Sequence, residues 1–244
     1  MTDIALSVII PTYNEAANIE RLVEEVLTVI RLALAPRFLE VIVVDDFSPD
    51  GTFHIAVNIK DRDVGVLCRT SDRGLRKSIE DGINAAQGDI VLWMDGDGSH
   101  PPRYIPQLVK AVSDGFDIAV NSRYVVGGED VREGKGTLLQ RALSRMLNTA
   151  IRFLLGHQFR DYTSGFCAAR KEVVRELGLR GDYGEYFIDF IYRATRSGKR
   201  IVELPFRNEP RRGGTSKTGS GLADYARRGL GYLGMAVKTR FGRE

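Results

Sequence analysis

Two carboxylates, Asp95 and Asp97, stand one residue apart in the segment VLWMDGDGSHPP, directly after an apolar run that predicts a buried strand. In an extended backbone, residues two apart point to the same side, so both carboxylates would face one ligand. Gly96 between them lets a ligand approach the backbone closely. Proteins usually hold Mg²⁺ or Mn²⁺ with one or two carboxylates together with substrate phosphates. The alternative for this segment alone is a solvent-exposed Asp-Gly turn.

Short apolar segments alternate with helical patterns through the first half of the chain. The predicted strands are Leu6–Ile10, Leu39–Asp45, Val64–Cys68, Asp89–Met94 and Asp117–Val120. Helices are predicted near residues 15–35, 52–61, 74–87 and 103–114. Wholly apolar strands separated by such helices indicate an α/β fold with a mostly parallel sheet covered on both faces.

Acidic segments follow three of these strands, namely PTYNE, DDFSPDGT and DGDGSHPP. Ligands of parallel α/β sheets bind at the carboxyl ends of the strands. A single aspartate there could cap a helix or form a turn. Three converging acidic ends repel one another unless a cation or a donor-rich ligand lies among them, so the pattern favours a binding site.

The second half of the chain has a different pattern from about residue 121. Its predicted elements are a Gly-rich loop at 125–136, helices near 137–155, 185–197 and 221–241, and a strand near 200–206. The segments RDYTSGF and EPRRGGTSKTGSG are predicted loops between them. No internal repeat and no long linker marks a domain boundary, so one domain is expected.

Composition restricts the partners and the location. The 35 Lys and Arg nearly balance the 32 Asp and Glu, so no nucleic-acid partner is indicated. Two distant cysteines match no metal or redox spacing, which favours a reducing environment. The N-terminus has no signal-peptide pattern, and no apolar run reaches the roughly 18 residues of a membrane-spanning helix. We therefore expect a protein of the cytoplasmic side.

PTYNE, VVDDFSPDGT and DGD, in that order, resemble the inverting nucleotide-sugar glycosyltransferases of family 2, which have the GT-A fold. NSRYVVGG, DYTSGF and RRGGTSK then follow in the order found in dolichol-phosphate (polyprenol-phosphate) mannose synthases. The resemblance covers about residues 5–220. It implies a single GT-A domain over residues 1–244, divided into a nucleotide-sugar half at 1–120, an acceptor half at 121–220 and a C-terminal amphipathic helix at 221–244.

The resemblance implies a role for each matching position. The implied nucleotide-sugar ligands are Pro11, Tyr13, Glu15, Val44, Asp46, Asp95, Gly96, Asp97, Arg123, Arg211 and Lys217. The implied catalytic residues are Asp97, Arg123 and Asp161. Mg²⁺ or Mn²⁺ would be held by Asp95, Asp97 and Ser99. Ser99 departs from the family pattern, because some relatives carry Gln there, and water would complete the coordination shell.

The implied acceptor is a polyprenyl or dolichyl phosphate, whose phosphate oxygen is already anionic. Catalysis then needs no strong base and can rest on positioning and on neutralising the leaving diphosphate. We expect in-line attack on the anomeric carbon with inversion. Asp161 occupies the place where other family 2 members put a base, and an orienting role is expected for it. His100 could act as a base, but setting the turn before two prolines is the interpretation we favour.

The helical segment TLLQRALSRMLNTAIRFLLG supports a lipid acceptor independently. Arg141, Arg145 and Arg152 fall within about 40° of one another around a helix whose remaining surface is strongly apolar. This pattern is typical of a membrane-interface helix. The alternative is a core helix with one basic, solvated face. The resemblance implies that Arg123, Arg141, Ser144 and Arg145 contact the acceptor phosphate.

The last segment, YARRGLGYLGMAVKTRFGRE, has a similar basic and apolar character and could lie on an anionic membrane surface. Many relatives continue into membrane-spanning helices at this point. The chain is therefore expected to be peripheral at the cytoplasmic face of a membrane, to work with a membrane partner subunit, or to be a piece of a longer protein.

The expected reaction is transfer of mannose from GDP-mannose to a polyprenyl phosphate. A transferase that uses UDP-glucose or another UDP-hexose is the alternative of the same class. A nucleotide-binding membrane scaffold without catalysis is the alternative of another class. A dinucleotide oxidoreductase is excluded, because the first strand leads into PTYNE rather than into a Gly-rich turn.

Overall fold

The structure is a computed structural model that describes residues 2–131, 137–156, 158–214 and 222–242. The strands are β1 (Thr2–Thr12), β2 (Pro36–Asp45), β3 (Val64–Cys68), β4 (Ile90–Trp93), β5 (Ile118–Ser122), β6 (Glu129–Asp130), β7 (Cys167–Arg170), β8 (Ile201–Pro205) and β9 (Arg207–Asn208). The helices are α1 (Ile19–Ala33), α2 (Thr52–Val57), α3 (Leu75–Ala85), α4 (Ile105–Ser113), α5 (Thr137–Leu155), α6 (Lys171–Leu177), α7 (Tyr186–Arg196) and α8 (Leu222–Phe241).

Seven of these strands form one sheet in the order β3-β2-β1-β4-β7-β5-β8. The pairs β1–β2, β2–β3, β1–β4 and β5–β8 are parallel. Strands β6 and β9 form a separate two-stranded parallel sheet. The prediction of an α/β fold with a mostly parallel sheet is confirmed.

Strand β7 is the exception, because it is antiparallel to both of its neighbours, β4 and β5. No pattern in the sequence predicts this strand. Its four residues, CAAR, have side chains too small to give the strongly apolar signal that the equally short β4, IVLW, gives. The consequence is functional: since β7 runs against the other strands, its beginning lies at their carboxyl edge. The turn DYTSGF that precedes it is thereby brought to that edge.

The core consists of two apolar layers, one on each face of the sheet. Successive residues of β1 alternate between the layers, with Val8 and Ile10 on one face and Ile9 on the other. Helices α1 and α4 cover the first face, and helices α3 and α7 cover the second. Both faces are buried, which explains why the strands are apolar throughout.

The strand order reverses at β1, because the chain builds outward to β2 and β3 and then returns to place β4 on the other side. This reversal opens a crevice at the carboxyl ends of β1 and β4. The two loops that follow them meet there: a Cβ added to Gly96 would lie 3.3 Å from the carbonyl oxygen of Pro11. PTYNE and DGDGSHPP are thus neighbours in space although about 80 residues separate them in the chain.

The second half of the chain contains the predicted helices as α5, α7 and α8 and the predicted strand as β8. The division of the domain into halves at 1–120 and 121–220 stays a prediction. No helix in the described parts of the chain is both long enough and apolar enough to cross a membrane.

Candidate active site

A cavity of 590 Å³ opens at the carboxyl edge of the sheet, where the loops after β1, β2 and β4 meet. Its wall contains a cluster of carboxylates, the exposed ring of Tyr13 and a further group of aromatic side chains. Eight residues that the sequence analysis assigned to the nucleotide sugar contribute to its wall: Pro11, Tyr13, Glu15, Asp46, Asp95, Gly96, Asp97 and Arg211.

At one end of the cavity Asp46 is held rigidly by three donors. Its Oδ1 accepts hydrogen bonds from the Arg69 guanidinium and from the Ser78 hydroxyl, and its Oδ2 accepts one at 2.7 Å from the backbone N–H of Gly74. Tyr13 lies in the same part of the wall and is 39% exposed. An oriented carboxylate beside an exposed aromatic ring suits the N–H edge and the face of a nucleobase.

The neighbouring Asp45 has a different role, although the sequence DDFSPDGT does not distinguish the two acids. Its Oδ1 accepts hydrogen bonds from the hydroxyls of Thr12 and Ser48, at 2.9 and 2.5 Å, and its Oδ2 accepts one from the Ser48 N–H at 2.8 Å. Asp45 is fully buried and therefore ties the loop after β2 to β1.

Asp95 lies on the cavity wall close to two other carboxylates, those of Asp97 and Glu15. Burial raises the pKa of its carboxyl, and repulsion from Asp97 and Glu15 adds to the increase, against attraction by His100. Although protein atoms surround the carboxyl group, 49% of the side chain is open to the cavity that it lines. A carboxylate with a raised pKa that opens onto a cavity is suited to a bound cation.

Asp97 differs from Asp95 although only one residue separates them. Burial opposes ionisation, but hydrogen bonds from the hydroxyl and the N–H of Ser99, with His100 and Arg211 nearby, lower the pKa of Asp97. The Ser99 N–H donates to Asp97 Oδ1 at 2.9 Å, and the Ser99 carbonyl accepts from the Glu209 N–H at 3.0 Å. Ser99 thus orients Asp97, and its role as a metal ligand stays a prediction.

The donor set fits a hard divalent cation. Within residues 2–131, 137–156, 158–214 and 222–242, no three His, Cys, Asp or Glu side chains converge into a preformed cage. Two carboxylates that share the site with substrate phosphates are the arrangement that Mg²⁺ adopts in many enzymes. Asp95 and Asp97 provide this pair on the wall of one cavity.

His100 supports the turn, in agreement with the interpretation favoured above. Its Nδ1 accepts a hydrogen bond from the Asp95 N–H at 3.1 Å, and its ring stacks on Phe166 at 4.8 Å. The side chain is 3% exposed. A buried imidazole that accepts from the backbone with Nδ1 carries any proton on Nε2, which lies 3.8 Å from Asp95 Oδ2.

Arg123 and Asp161 form a buried, bidentate ion pair behind the cavity wall. Arg123 donates from Nε and Nη2 to the two Asp161 oxygens at 2.9 and 2.7 Å, and its backbone N–H also donates to Asp161 at 2.9 Å. Burial would lower the pKa of Arg123, but Asp161 raises it above its ordinary value. With its oxygens occupied in this way, Asp161 orients Arg123 and is not free to act as a base.

Helix α5 is connected to this ion pair through Thr163, which also lines the cavity. The Thr163 hydroxyl accepts hydrogen bonds from Arg123 Nη2 at 2.8 Å and from Asn148 Nδ2 at 2.9 Å. Asn148 belongs to α5 and also donates to the carbonyl of Ser144 at 3.0 Å. The Ser144 hydroxyl lies 3.0 Å from the hydroxyl of Tyr124. The sequence gives no signal for Thr163 or Asn148, because neither carries a charge. Helical periodicity also does not predict that Asn148, a polar residue of α5, is buried against a loop.

Several predicted site residues lie away from the cavity wall as the described residues define it. Val44 is fully buried in the core beneath α3. Arg145 is exposed and Arg141 half-buried on α5. Lys217 lies outside the described residues. The roles implied for these four residues stay predictions, as do those of the residues on the cavity wall.

The other end of the cavity is aromatic, and the sequence analysis missed it. Its wall includes Tyr183, Tyr186, Phe187 and Tyr232. Trp93 Nε1 donates to the Tyr186 hydroxyl at 2.9 Å, which joins this wall to the end of β4. Burial raises the pKa of both Tyr186 and Tyr232 above the ordinary value of a phenol, which is already protonated at neutral pH. Isolated tyrosines in helical patterns give no signal that distinguishes a cavity from a core.

Comparison with protein families identifies the class that this fold and site define. The sequence matches the model described as glycosyl transferase family 2 over residues 7–178. The chain therefore belongs to glycosyltransferase family 2, as the ordered motifs implied.

Individual relatives with assigned names show which members of that family the chain is similar to. The chain is 39% identical over 227 residues to the polyprenol monophosphomannose synthase of Mycolicibacterium smegmatis, covering 89% of this chain and 82% of that protein. It is 36% identical over 226 residues to the dolichol-phosphate mannosyltransferase of Pyrococcus furiosus, covering 91% of this chain but only 62% of that protein.

Solved structures agree on the fold. Glucosyl-3-phosphoglycerate synthase from Mycobacterium tuberculosis, in complex with Mn²⁺, UDP and glucosyl-3-phosphoglycerate, matches with a TM-score of 0.71. The match covers 99% of this chain and 81% of that one, at 21% identity. A second structure of that enzyme holds Mg²⁺ and UDP. That enzyme has therefore been solved with UDP and with either metal.

Proposed function

We propose that the protein transfers mannose from GDP-mannose to the phosphate of a polyprenyl or dolichyl phosphate. The observation that carries the proposal is one cavity whose wall contains Tyr13 and Asp46, which would bind the base, together with a pair of metal-type carboxylates, Asp95 and Asp97. Mannose is favoured because relatives at 36 and 39% identity are named for its transfer. GDP is the nucleotide that the family resemblance implies.

Asp95 and Asp97 would hold Mg²⁺ or Mn²⁺ against the donor diphosphate. When bound, the metal supplies a positive charge that neutralises the leaving diphosphate and acts as a Lewis acid. Asp46 and Tyr13 would bind the base and so hold the donor along the cavity. Holding the donor in one orientation lowers the entropic part of the barrier to in-line attack.

The acceptor end needs cations rather than a base. A phosphate monoester is already anionic, so its oxygen can attack the anomeric carbon without losing a proton to the protein. The Asp161 carboxylate fixes the Arg123 guanidinium by two hydrogen bonds, which supports an orienting role for Asp161. Arg123, Arg141, Ser144 and Arg145 are proposed to receive the acceptor phosphate, with Arg123 connected to α5 through Thr163.

We further propose that helices α5 and α8 contact the membrane that contains the acceptor. Of the thirteen large apolar side chains exposed in the described parts of the chain, seven lie on these two helices: Leu138, Leu139, Met146, Phe153, Leu230, Val237 and Phe241. Helix α5 is docked to the core by its Ile151 face, so the outward residues form a second apolar stripe. Apolar residues flanked by arginines favour an interface between water and lipid.

The proposed function is tested by incubating the protein with Mn²⁺, a polyprenyl phosphate and radiolabelled GDP-mannose, and counting label that moves into the organic phase. Product with GDP-mannose but little with UDP-glucose is expected. Preference for UDP-glucose would replace mannose by another hexose. Nucleotide binding without any product would favour the non-catalytic scaffold.

A pair of variants connects that assay to the site. Asp97→Ala should lower product formation at least about a hundredfold, because it removes a metal-type carboxylate from the leaving-group side. Asp63→Ala removes a carboxylate near the opposite end of the sheet, where it pairs with Arg31, and should retain activity. Equal activity of Asp97→Ala and the wild type would contradict the metal assignment.

A further inference from the structure

Residues 209–214, called the strap below, cross the carboxyl edge of the sheet directly over the DGDGS turn. The backbone N–H of Glu209 donates to the Ser99 carbonyl at 3.0 Å, and that of Arg212 donates to the Asp97 carbonyl at 3.1 Å. On the far side, Asn18 Nδ2 donates to the Gly213 carbonyl at 3.2 Å. The strap is therefore fastened on both sides of the residue between them, Arg211.

The Arg211 guanidinium bridges two carboxylates that belong to different loops. Its Nη2 lies 2.6 and 2.5 Å from the two oxygens of Glu15, and its Nη1 lies 3.0 Å from Asp97 Oδ2. Its Nε donates to the Gly213 carbonyl at 2.6 Å. The side chains of Arg211 and Asp97 are 17 and 19% exposed, so solvent screens this charge cluster only partly.

The same atoms of Asp97 cannot serve Arg211 and a metal ion fully at the same time. Asp97 Oδ1 already accepts the Ser99 N–H, and Oδ2 accepts Arg211. Asp95, Asp97 and Glu15 together place three carboxylates in the cavity, and among the described residues Arg211 pairs with two of them. A divalent ion that arrives alone would repel Arg211 and would leave its guanidinium without the Asp97 partner.

We propose that Arg211 is the resident cation of the donor-free site, which holds the place at Asp97 until a metal ion and a diphosphate arrive together. The diphosphate provides the guanidinium with a new anionic partner, so Arg211 leaves Asp97 for phosphate when the metal ion takes the carboxylate. Metal ion and nucleotide therefore bind with positive coupling, and the strap links the two sites. Since the diphosphate is that of the proposed donor, the inference rests on the proposed function.

The neighbouring Arg212 offers a matched control. It belongs to the same strap and carries the same charge, but its guanidinium pairs with Glu25 on α1 at 2.8 Å, away from the cavity carboxylates. Arg212→Gln removes one positive charge from the strap without freeing Asp97. Arg211→Gln removes the charge that competes with the metal. Arg211→Lys retains a charge but replaces the planar fork by a compact ammonium, which cannot bridge Glu15 and Asp97 in the same way.

The test measures Mn²⁺ affinity directly, from the electron paramagnetic resonance signal of free Mn²⁺, for the full chain with and without GDP. Without GDP, Arg211→Gln should bind Mn²⁺ about tenfold more tightly than the wild type, Arg211→Lys should lie between them, and Arg212→Gln should stay within about twofold of the wild type. GDP should tighten Mn²⁺ binding by about tenfold or more in the wild type and by much less in Arg211→Gln.

Wild-type and Arg211→Gln proteins with the same Mn²⁺ affinity in the absence of GDP would overturn the proposal, as would an equal increase in Arg212→Gln. If Arg211→Gln does not fold, the comparison of Arg211→Lys with the wild type decides in the same way. Failure of the GDP-mannose assignment gives a different result, because GDP would then leave the Mn²⁺ affinity of the wild type unchanged, while the difference between Arg211→Gln and the wild type without GDP would persist.

Discussion

The Thr163 hydroxyl shows how much of the site depends on one small uncharged residue. It accepts from Arg123 and from Asn148, and so connects the buried ion pair to α5. The DYTSGF motif indicated this region, but the sequence alone predicted a role only for its acidic residue, Asp161. Charges and spacings can be recognised in a sequence, whereas the partner of a hydroxyl depends on how a loop packs in three dimensions.

Thr163→Val keeps the shape of the side chain and removes only the hydroxyl, so the Arg123 and Asn148 donors lose their shared acceptor. We expect the free energy of unfolding to fall by about 1–3 kcal/mol, because each of these two buried groups keeps its other acceptor but loses the one for its second N–H, and an unpaired buried N–H is costly. The KM for polyprenyl phosphate should rise severalfold, while the affinity for GDP changes by less than about twofold.

Urea denaturation and initial-rate kinetics measure these effects. Thr149→Val is the matched control on α5, since Thr149 is exposed and donates only to the Arg145 carbonyl one turn earlier. An effect of Thr149→Val on acceptor KM as large as that of Thr163→Val would contradict the connection drawn here.

For Asp95 and Asp97, the sequence predicts a shared site but not the electrostatic environment of each carboxylate. Their spacing predicted two carboxylates at one site, and the structure places both on the wall of one cavity. Their opposite pKa shifts were not predictable, because the shifts depend on Ser99, Arg211 and Glu15, and the last two approach from other loops.

Among the elements, β7 and the strap explain how distant segments reach the site. The pattern of alternating strands and helices predicted every parallel strand of the first half, because each is apolar and of ordinary length. Strand β7 is as short as β4 but has only small apolar side chains, so its signal is weak, and nothing in its residues indicates that it runs antiparallel to β4 and β5. The strap was predicted as a basic loop, but its hydrogen bonds to the DGDGS turn link residues more than 100 positions apart, and no local pattern contains them.

The ion pair between Arg212 and Glu25 makes the strap sensitive to acid. Burial opposes ionisation, but Arg212 and Arg21 lower the pKa of Glu25 below its ordinary value of 4.5. A carboxyl with a depressed folded-state pKa stabilises the fold above its unfolded pKa and loses that contribution as the pH falls through the folded value. Because both side chains are partly exposed, the contribution should stay below about 1 kcal/mol.

Glu25→Gln should therefore lose less unfolding free energy than the wild type when the pH falls from about 7 to about 3.5, as measured by urea denaturation at each pH. At neutral pH it should also be cut faster by trypsin after the strap arginines, because the strap is anchored less firmly. Glu20→Gln, a change in an exposed residue of the same helix, is the control. Equal losses of unfolding free energy in Glu25→Gln and the wild type at acidic pH would contradict the role of this ion pair.

At the scale of the whole molecule, helices α5 and α8 present an apolar and basic surface that could be predicted from the sequence only in part. The arginine stripe of α5 was found from periodicity, and Ile151, which is fully buried, shows that the helix also packs as a core element. Helix α8 was expected to lie on a membrane, yet Tyr232 lines the cavity and Ala236 is buried. Periodicity defines the faces of a helix but does not say which face a neighbouring helix covers.

Among the described side chains of this surface, Phe153 and Phe241 are the exposed aromatic ones, at 73 and 69% exposure. Replacing both by serine should reduce flotation with liposomes that contain anionic lipid at least about fivefold, because inserted apolar area is lost while the charge is unchanged. Leu32→Ser is the control, since Leu32 is 83% exposed on α1. Equal flotation of the double variant and the control would remove α5 and α8 from the proposed membrane contact.

Direct attack of an acceptor phosphate on the donor, with no protein nucleophile, is the central claim of the proposed mechanism. The most direct measurement is the anomeric configuration of the sugar phosphate in the purified lipid product, read from its NMR couplings. GDP-mannose carries an α-linked sugar, so a single in-line displacement in this cavity predicts β-linked mannosyl phosphate. An α-linked product would contradict it, because retention would require a second displacement or a different course of reaction.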